Sequence, residues 1–238
     1  MNEGLKLYYD YTISPLGELF YKTLWSQLED VKNKKVLDFG SGFAFTSDFL
    51  AQNNEVVALE IDEEIIKYAK KDNTYNQVNA GLEYLKSIED NTFDFIVCHL
   101  VFEFVENPEI ILDELIRVLK KDGSISIVRH NRNGRIIQAI TQLYDLEEAK
   151  KLLDGGYSYS SAFGDIKYYD NDDIVKWSNN KLSVDKVCGI RCLASLHNSE
   201  IQKNENWIDE MFEVELKLLQ KQEFIDIAYF NHVLLKKI

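Results

Sequence analysis

The stretch Val36-Leu37-Asp38-Phe39-Gly40-Ser41-Gly42-Phe43-Ala44-Phe45 decides the fold. Its first four residues, with Lys35, form a short apolar run ended by glycine, which predicts a β-strand. Gly40 and Gly42 then let backbone approach a ligand with no Cβ in the way. A helix beginning near Ala44, with Phe45, Phe49 and Leu50 on one face, aims its free N–H groups at the same place. Glu55–Glu60 (EVVALE) predicts the second strand, and Glu60 ends it with a carboxylate able to accept both hydroxyls of a ribose. Strand, glycine turn, helix and acid-tipped strand together mark a nucleotide-type cofactor site at the carboxyl edge of a parallel sheet.

Outward from this unit the chain keeps alternating. Ile61, Ile65, Ile66 and Ala69 predict the next helix, 77–79 a weak third strand, and Phe93–His99 (FDFIVCH) a strand buried on both faces. Asn107 as cap, Pro108 in the first turn and Glu109 at the positive dipole end announce a helix whose stripe is Ile111, Leu115, Val118 and Leu119. Asp122-Gly123 turns into a fifth strand, 124–129. Then 136–153 reads as one helix, 155–169 as a Tyr- and Ser-rich loop, and 170–179 as a short helix. Residues 184–196 read as a strand, 207–219 as an amphipathic helix and 224–236 as a last strand. The expected fold is α/β: a doubly wound, mostly parallel seven-stranded sheet in one domain. Residues 1–33, with Leu16, Leu19, Phe20, Thr23, Leu24 and Leu28 at helical spacing, form a helical cap. Residues 34–130 carry the cofactor, and 131–238 the substrate side and last strands.

Two cofactor classes use such a turn. A dinucleotide site wants G-x-G-x-x-G, but the third position here is Phe45, too bulky for close helix–strand packing. Asp38, two residues before the first glycine, instead suits S-adenosyl-L-methionine (SAM), where an acidic residue orients the methionine end. Read structurally, Asp38 is a turn cap and Glu60 a solvated strand end. His99 closes the fourth strand over the ligand edge, either packed or touching ligand.

VLDFGSG, VVALEID, FDFIVCHLVFEFVENP and LIRVLKKDGSISIV, between Val36 and Arg129, resemble the class I SAM-dependent methyltransferases. Ala44 departs from the third glycine of many members. The resemblance implies that Asp38 and backbone at Gly40, Ser41 and Gly42 hold the methionine moiety and that Glu60 holds the ribose. Ile61, Gly81 and Leu82 would lie at the adenine; His99 joins the cofactor residues only through its place at the end of the fourth strand. Over nearly the whole chain, SPLGELFYKTLWSQL, HLVFEFVENP, SIVRHN, VCGIRCLASLH, WIDEMFEVELKLL and FIDIAYFNHVLLKK resemble the bacterial tRNA (5-carboxymethoxyuridine) methyltransferase group. That implies methylation of a carboxylate on a modified wobble uridine. Phe20 stands where some members carry an arginine for the SAM carboxylate, leaving Tyr11, Tyr21 or Lys22 to replace it.

Arg129, His130, Arg132 and Arg135 cluster within seven residues after the fifth strand, with Arg191 later in the chain. The arginine forks suit carboxylate or phosphate, so tRNA or a small acidic metabolite is the expected partner, against a solvated loop as the plain alternative. Tyr157, Tyr159, Phe163, Tyr168 and Tyr169 either stack on a base, cover an apolar substrate or pack. No general base stands out, and an ionised carboxylate needs none.

Composition narrows the remainder. The 238 residues are 45% apolar and 28% charged, with a formal net charge of −13 that repels nucleic acid at long range unless basic residues gather locally. Three cysteines without a C-x-x-C pair and four scattered histidines argue against a disulfide framework and a zinc site. No run is long and apolar enough for a membrane span, and MNEGLKLYYDY lacks signal-peptide character, so a cytoplasmic protein is expected.

Overall fold

The structure, a computed structural model, describes residues 1–238. The cap is two helices, α1 (Glu3–Thr12) and α2 (Pro15–Trp25). Ser14 caps α2 by accepting from the Gly17 N–H, and Pro15 occupies the first turn, where no donor is lost. Then follow β1 (Lys35–Phe39), α3 (Phe45–Ala51), β2 (Glu55–Glu60), α4 (Glu63–Ile66), β3 (Asn76–Asn79), α5 (Leu82–Ser87) and β4 (Phe93–His99). Next come α6 (Pro108–Val118), β5 (Leu119–His130), α7 (Arg132–Gln138), α8 (Leu146–Leu153), β6 (Ser158–Ser160) and β7 (Gly164–Ile166). The chain ends through α9 (Asn171–Trp177), β8 (Leu182–Ile190), α10 (Trp207–Leu218), α11 (Gln222–Ile225) and β9 (Phe230–Lys237).

Seven strands form one sheet in the order β3-β2-β1-β4-β5-β9-β8. The first five run parallel, and β9 pairs antiparallel with both β5 and β8. Chain order reverses between β1 and β4, and the crevice at their carboxyl ends is where such sheets bind ligands.

Alternation along the strands assigns the two faces. Val36, Phe95, Val97, Val128, Ile190 and Phe230 pack with Phe20, Leu24 and Leu28 of the cap. Leu37, Ile96, Ile125, Ile127 and Val233 pack on the other face with Leu112, Leu115 and Ile116 of α6 and Ile174 of α9. Burying one such leucine contributes about 1.5–3 kcal/mol, so the cap is an integral layer of the core.

Several expected boundaries change; β5 already begins at Leu119, before the expected Asp122-Gly123 turn, and β8 at Leu182. The expected helix over 136–153 breaks into α7, a π-turn over Ala139–Leu143 and α8, because Tyr144 adopts φ 50° and Asp145 caps a new start. The expected loop 155–169 contains the hairpin β6–β7. The strand expected over 184–196 stops at Ile190, since Arg191 takes a left-handed φ of 56°. The last strand starts only at Phe230, after α11, and the helix expected through Ala69 is a single turn capped by Asp62. At Tyr144 and Arg191 one left-handed residue overrode apolar periodicity.

Candidate active site

A cavity of about 620 Å³ opens at the carboxyl ends of β1, β2 and β4. Gly40 and Gly42 line it at φ 75° and 55°. A Cβ on Gly40 would lie 2.5 Å from Val101 Cγ2, and one on Gly42 would lie 3.1 Å from the Tyr8 hydroxyl, so only glycine keeps this floor open. Ala44, also left-handed at φ 57°, accepts the strain of the missing third glycine and is fully buried. Ser41 lines the same wall.

Glu60 Oε2 accepts the Gly42 N–H and Oε1 accepts the Asp62 N–H, both at 2.9 Å. One further lone pair remains on each oxygen, a pair of acceptors spaced for vicinal hydroxyls. Asp38 is 3% exposed and accepts from Ser47 Oγ at 2.6 Å. Burial pushes its carboxyl up to about 7; Ser47 opposes the rise and the nearby Glu60 charge adds to it. A cation arriving beside Asp38 would restore its ionised form.

His99 is tied into a chain of hydrogen bonds whose directions can be read. The Thr23 carbonyl only accepts, so the amide NH2 of Gln27 faces it (2.9 Å) and Gln27 Oε1 faces His232 Nδ1 (2.7 Å). His232 therefore donates from Nδ1 and accepts at Nε2 from the Ser126 hydroxyl (2.7 Å). Ser126 Oγ in turn accepts from His99 Nε2 (2.7 Å), which leaves His99 Nδ1 as an unprotonated acceptor. Burial pushes His99 well below its ordinary value, helped by His232, and pushes His232 to about 3, helped by Lys186. Both rings are neutral at pH 7.

Asp38, Gly40, Ser41, Gly42, Glu60, Ile61 and His99 thus meet on one cavity. Gly81 and Leu82 do not line it. Gly81 stands behind Ile61, with its Cβ position 3.0 Å from Ile61 Cγ2, and Leu82 packs into the core. Tyr11 and Tyr21 line the cavity, whereas Lys22 pairs outside it with Asp209 at 2.5 Å. Sequence reasoning missed Tyr8 and Glu103, and took His130 only as one of the basic cluster. An acidic residue four positions past the fourth strand was the one hint of Glu103.

The basic cluster disperses. Alternation along β5 turns Arg129 to the face opposite His130, into a second cavity of about 500 Å³ that Arg132 also lines, with Asp170, Asp173 and Asp226. Arg132 spends Nη1 on the carbonyls of Leu152 and Gly156, both at 3.0 Å, with its guanidinium over the Tyr168 ring. Arg135 lines neither cavity; it bonds Gln138 and approaches Glu148 at 3.6 Å. Arg191, 1% exposed, lies behind the first cavity, its guanidinium carbon 4.7 Å from the Tyr229 ring and 5.5 Å from that of Tyr11. Nε donates to Ser195 Oγ at 2.9 Å, and Nη1 is buried with no partner. Desolvation lowers its pKa to about 10, so it stays cationic at neutral pH. Of the aromatic segment, Tyr159 and Phe163 reach the first cavity, and Tyr168 and Tyr169 the second.

The residues fit SAM: a glycine floor without Cβ atoms, a carboxylate with two free lone pairs, and a buried acid awaiting a cation. A family model described as a methyltransferase domain matches residues 37–127. This is a class I SAM-dependent methyltransferase fold. Within that fold, residues 37–127 match the methyltransferase-domain model, and SAM is the cofactor, supplying a methyl group carried on positively charged sulfur.

The chain is 26% identical to the thiol S-methyltransferase TMT1B of Rattus norvegicus over 181 residues, 68% of this chain and 74% of that one. It is 25% identical to the tRNA 5-carboxymethoxyuridine methyltransferase of Escherichia coli K12 over 135 residues, about half of each chain (51% and 52%). A Thermotoga maritima structure, described as a SAM-dependent methyltransferase and possible histamine N-methyltransferase, superposes with a TM-score of 0.63. It is 14% identical and covers 98% of this chain and 96% of that one, a likeness of fold. No helix is long and apolar enough to cross a membrane.

Proposed function

We propose that the chain transfers the methyl group of SAM to an oxygen of a small anionic molecule. The carrying observation is Arg191. A fully buried guanidinium with an unpartnered Nη1 is costly, and such a group in a native structure calls for a partner. Arg191 does not itself line the cofactor cavity, but its ring neighbours Tyr11 and Tyr229 do, so its buried charge favours an anionic group, a carboxylate or phosphate, on the cavity side of those rings. Glu60 and Asp38 would hold the ribose and methionine ammonium; Tyr8, Tyr21 and Phe163 would exclude water.

Likeness to the E. coli tRNA enzyme favours a second reading, the carboxylate of a modified wobble uridine. Against it stand the net charge of −13 and the internal engagement of Arg132 and Arg135. The test incubates the protein and methyl-tritiated SAM with metabolite extract and, separately, with total small RNA. Label in the extract supports the small-molecule reading. Label in RNA, with affinity falling steeply as salt rises, overturns it. Arg191→Met removes the buried charge, and should cut transfer at least tenfold with SAM affinity within twofold. Unchanged turnover in a folded Arg191→Met protein would remove Arg191 from the reading.

A further inference from the structure

We infer that Glu103 and His130 form a general-base pair at the cofactor cavity, so that the methylated atom is the oxygen of a hydroxyl group. This rests on the oxygen-acceptor reading above and specifies which oxygen. Glu103 lies in the 3-10 turn Phe102–Phe104 that follows β4, and its side chain is fully buried. His130 ends β5, beside β4 in the sheet, on the cavity side. One carboxylate oxygen, Glu103 Oε1, accepts both the His130 backbone N–H at 2.8 Å and the ring Nδ1–H at 3.2 Å. The two bonds fix the ring's direction and its tautomer. Phe230 supports the ring at 4.9 Å between centroids.

Nε2 then carries the lone pair, has no partner within the protein, and belongs to a side chain that lines the cavity. An imidazole oriented through Nδ1 by a buried carboxylate, with Nε2 open to the substrate, is the arrangement that takes a proton. Glu103 Oε2 is sealed from water without a partner, a cost that ordinary packing would not demand but that a developing imidazolium repays. His99 differs: its ring is locked into the Ser126–His232 chain and is no shuttle to solvent.

A carboxylate acceptor arrives ionised and gains nothing from a base, and a lone pair facing it would repel it. A thiol is already partly ionised near neutral pH. A hydroxyl needs the help. Its O–H bond breaks as the proton passes to His130 Nε2, and the oxygen's electron pair forms the new O–CH3 bond. The pair of the broken C–S bond stays on sulfur, leaving a neutral thioether. The imidazolium, held against Glu103, then releases its proton to water.

Three measurements on the full chain test this. With 15N-labelled histidine, the ring signals of His130 at neutral pH should show the proton on Nδ1; a proton on Nε2 overturns the pair whatever the acceptor. The product labelled from metabolite extract should keep its tritium in mild alkali, as an ether does; release as methanol marks a methyl ester and overturns the inference while leaving the anionic-acceptor reading intact. His130→Gln and Glu103→Gln should lower turnover about 100-fold or more, the range of general-base catalysis, with SAM affinity by calorimetry within twofold. Glu103→Gln should also move the acid limb of the pH–rate profile to lower pH. Unchanged rates in either folded variant overturn the pair. If nothing in the extract takes label, the oxygen-acceptor reading fails, and the inference with it.

Discussion

Replacing Asp38 by asparagine should stabilise the protein at pH 8 while weakening its hold on SAM. The Asp38 carboxyl titrates at about 7 in the folded chain, chiefly through desolvation, against an ordinary 3.8. The folded state therefore keeps this proton to higher pH than the unfolded state does. The group's contribution to stability is complete below about 4, falls as pH rises from about 4 to 7, and stays lost above. Three pH units at about 1.36 kcal/mol each come to about 4 kcal/mol. Asparagine is neutral throughout, fits the same space, and its Oδ1 can accept the Ser47 hydroxyl as the carboxylate does. At about 2–4 °C per kcal/mol for a chain of this size, Asp38→Asn should melt about 8 °C or more above the wild type at pH 8. The gap should shrink toward zero near pH 4. SAM affinity should fall about tenfold or more, the worth of a charge-assisted hydrogen bond. Thermal melts from pH 4 to 8 and calorimetric SAM titrations decide it. A gap that does not change with pH, or a less stable variant at pH 8, refutes the assignment of Asp38 as a buried acid held ready for a cation.

Glu60→Gln should keep the fold and weaken SAM binding about 10- to 100-fold, because a charge-assisted acceptor is lost; unchanged calorimetric affinity removes Glu60 from the ribose site. His232 titrates at about 3 folded against 6.5 unfolded, so its contribution is present above 6.5 and lost as pH falls, up to about 5 kcal/mol. His232→Gln should flatten the decline of Tm between pH 6.5 and 4, and an unaltered slope counts against a neutral buried ring. Arg132→Ala should lower Tm, since two carbonyls lose their donor, and leave turnover on the small acceptor within twofold. A drop in turnover at unchanged Tm would return Arg132 to the substrate.

The cofactor half of the site was legible because it is local. Asp38, Gly40 and Gly42 lie within five consecutive residues, and Glu60 ends the next strand, so backbone geometry alone brings them together. The same locality made β1, β2, β4 and α6 readable, from apolar period and from Pro108 in the first turn of α6, although Asn107 at its N-cap makes no side-chain capping bond. The acceptor side was not local. Arg129 and His130 are neighbours in sequence, yet strand alternation sends one to each face of the sheet. Apolar pattern also ran past Tyr144 and Arg191, where one left-handed residue redirects the chain.

From sequence alone came the α/β class, the glycine turn, the acidic strand end and SAM, because each follows from residue type at short spacing. Tertiary structure alone decided that Arg191 is a buried cation behind the cavity, that Arg132 and Arg135 serve their own loops, and that Glu103 meets His130 across 27 positions of chain. Those outcomes depend on which strands lie side by side, and strand order is set by the packing of whole layers rather than by any short run of residues.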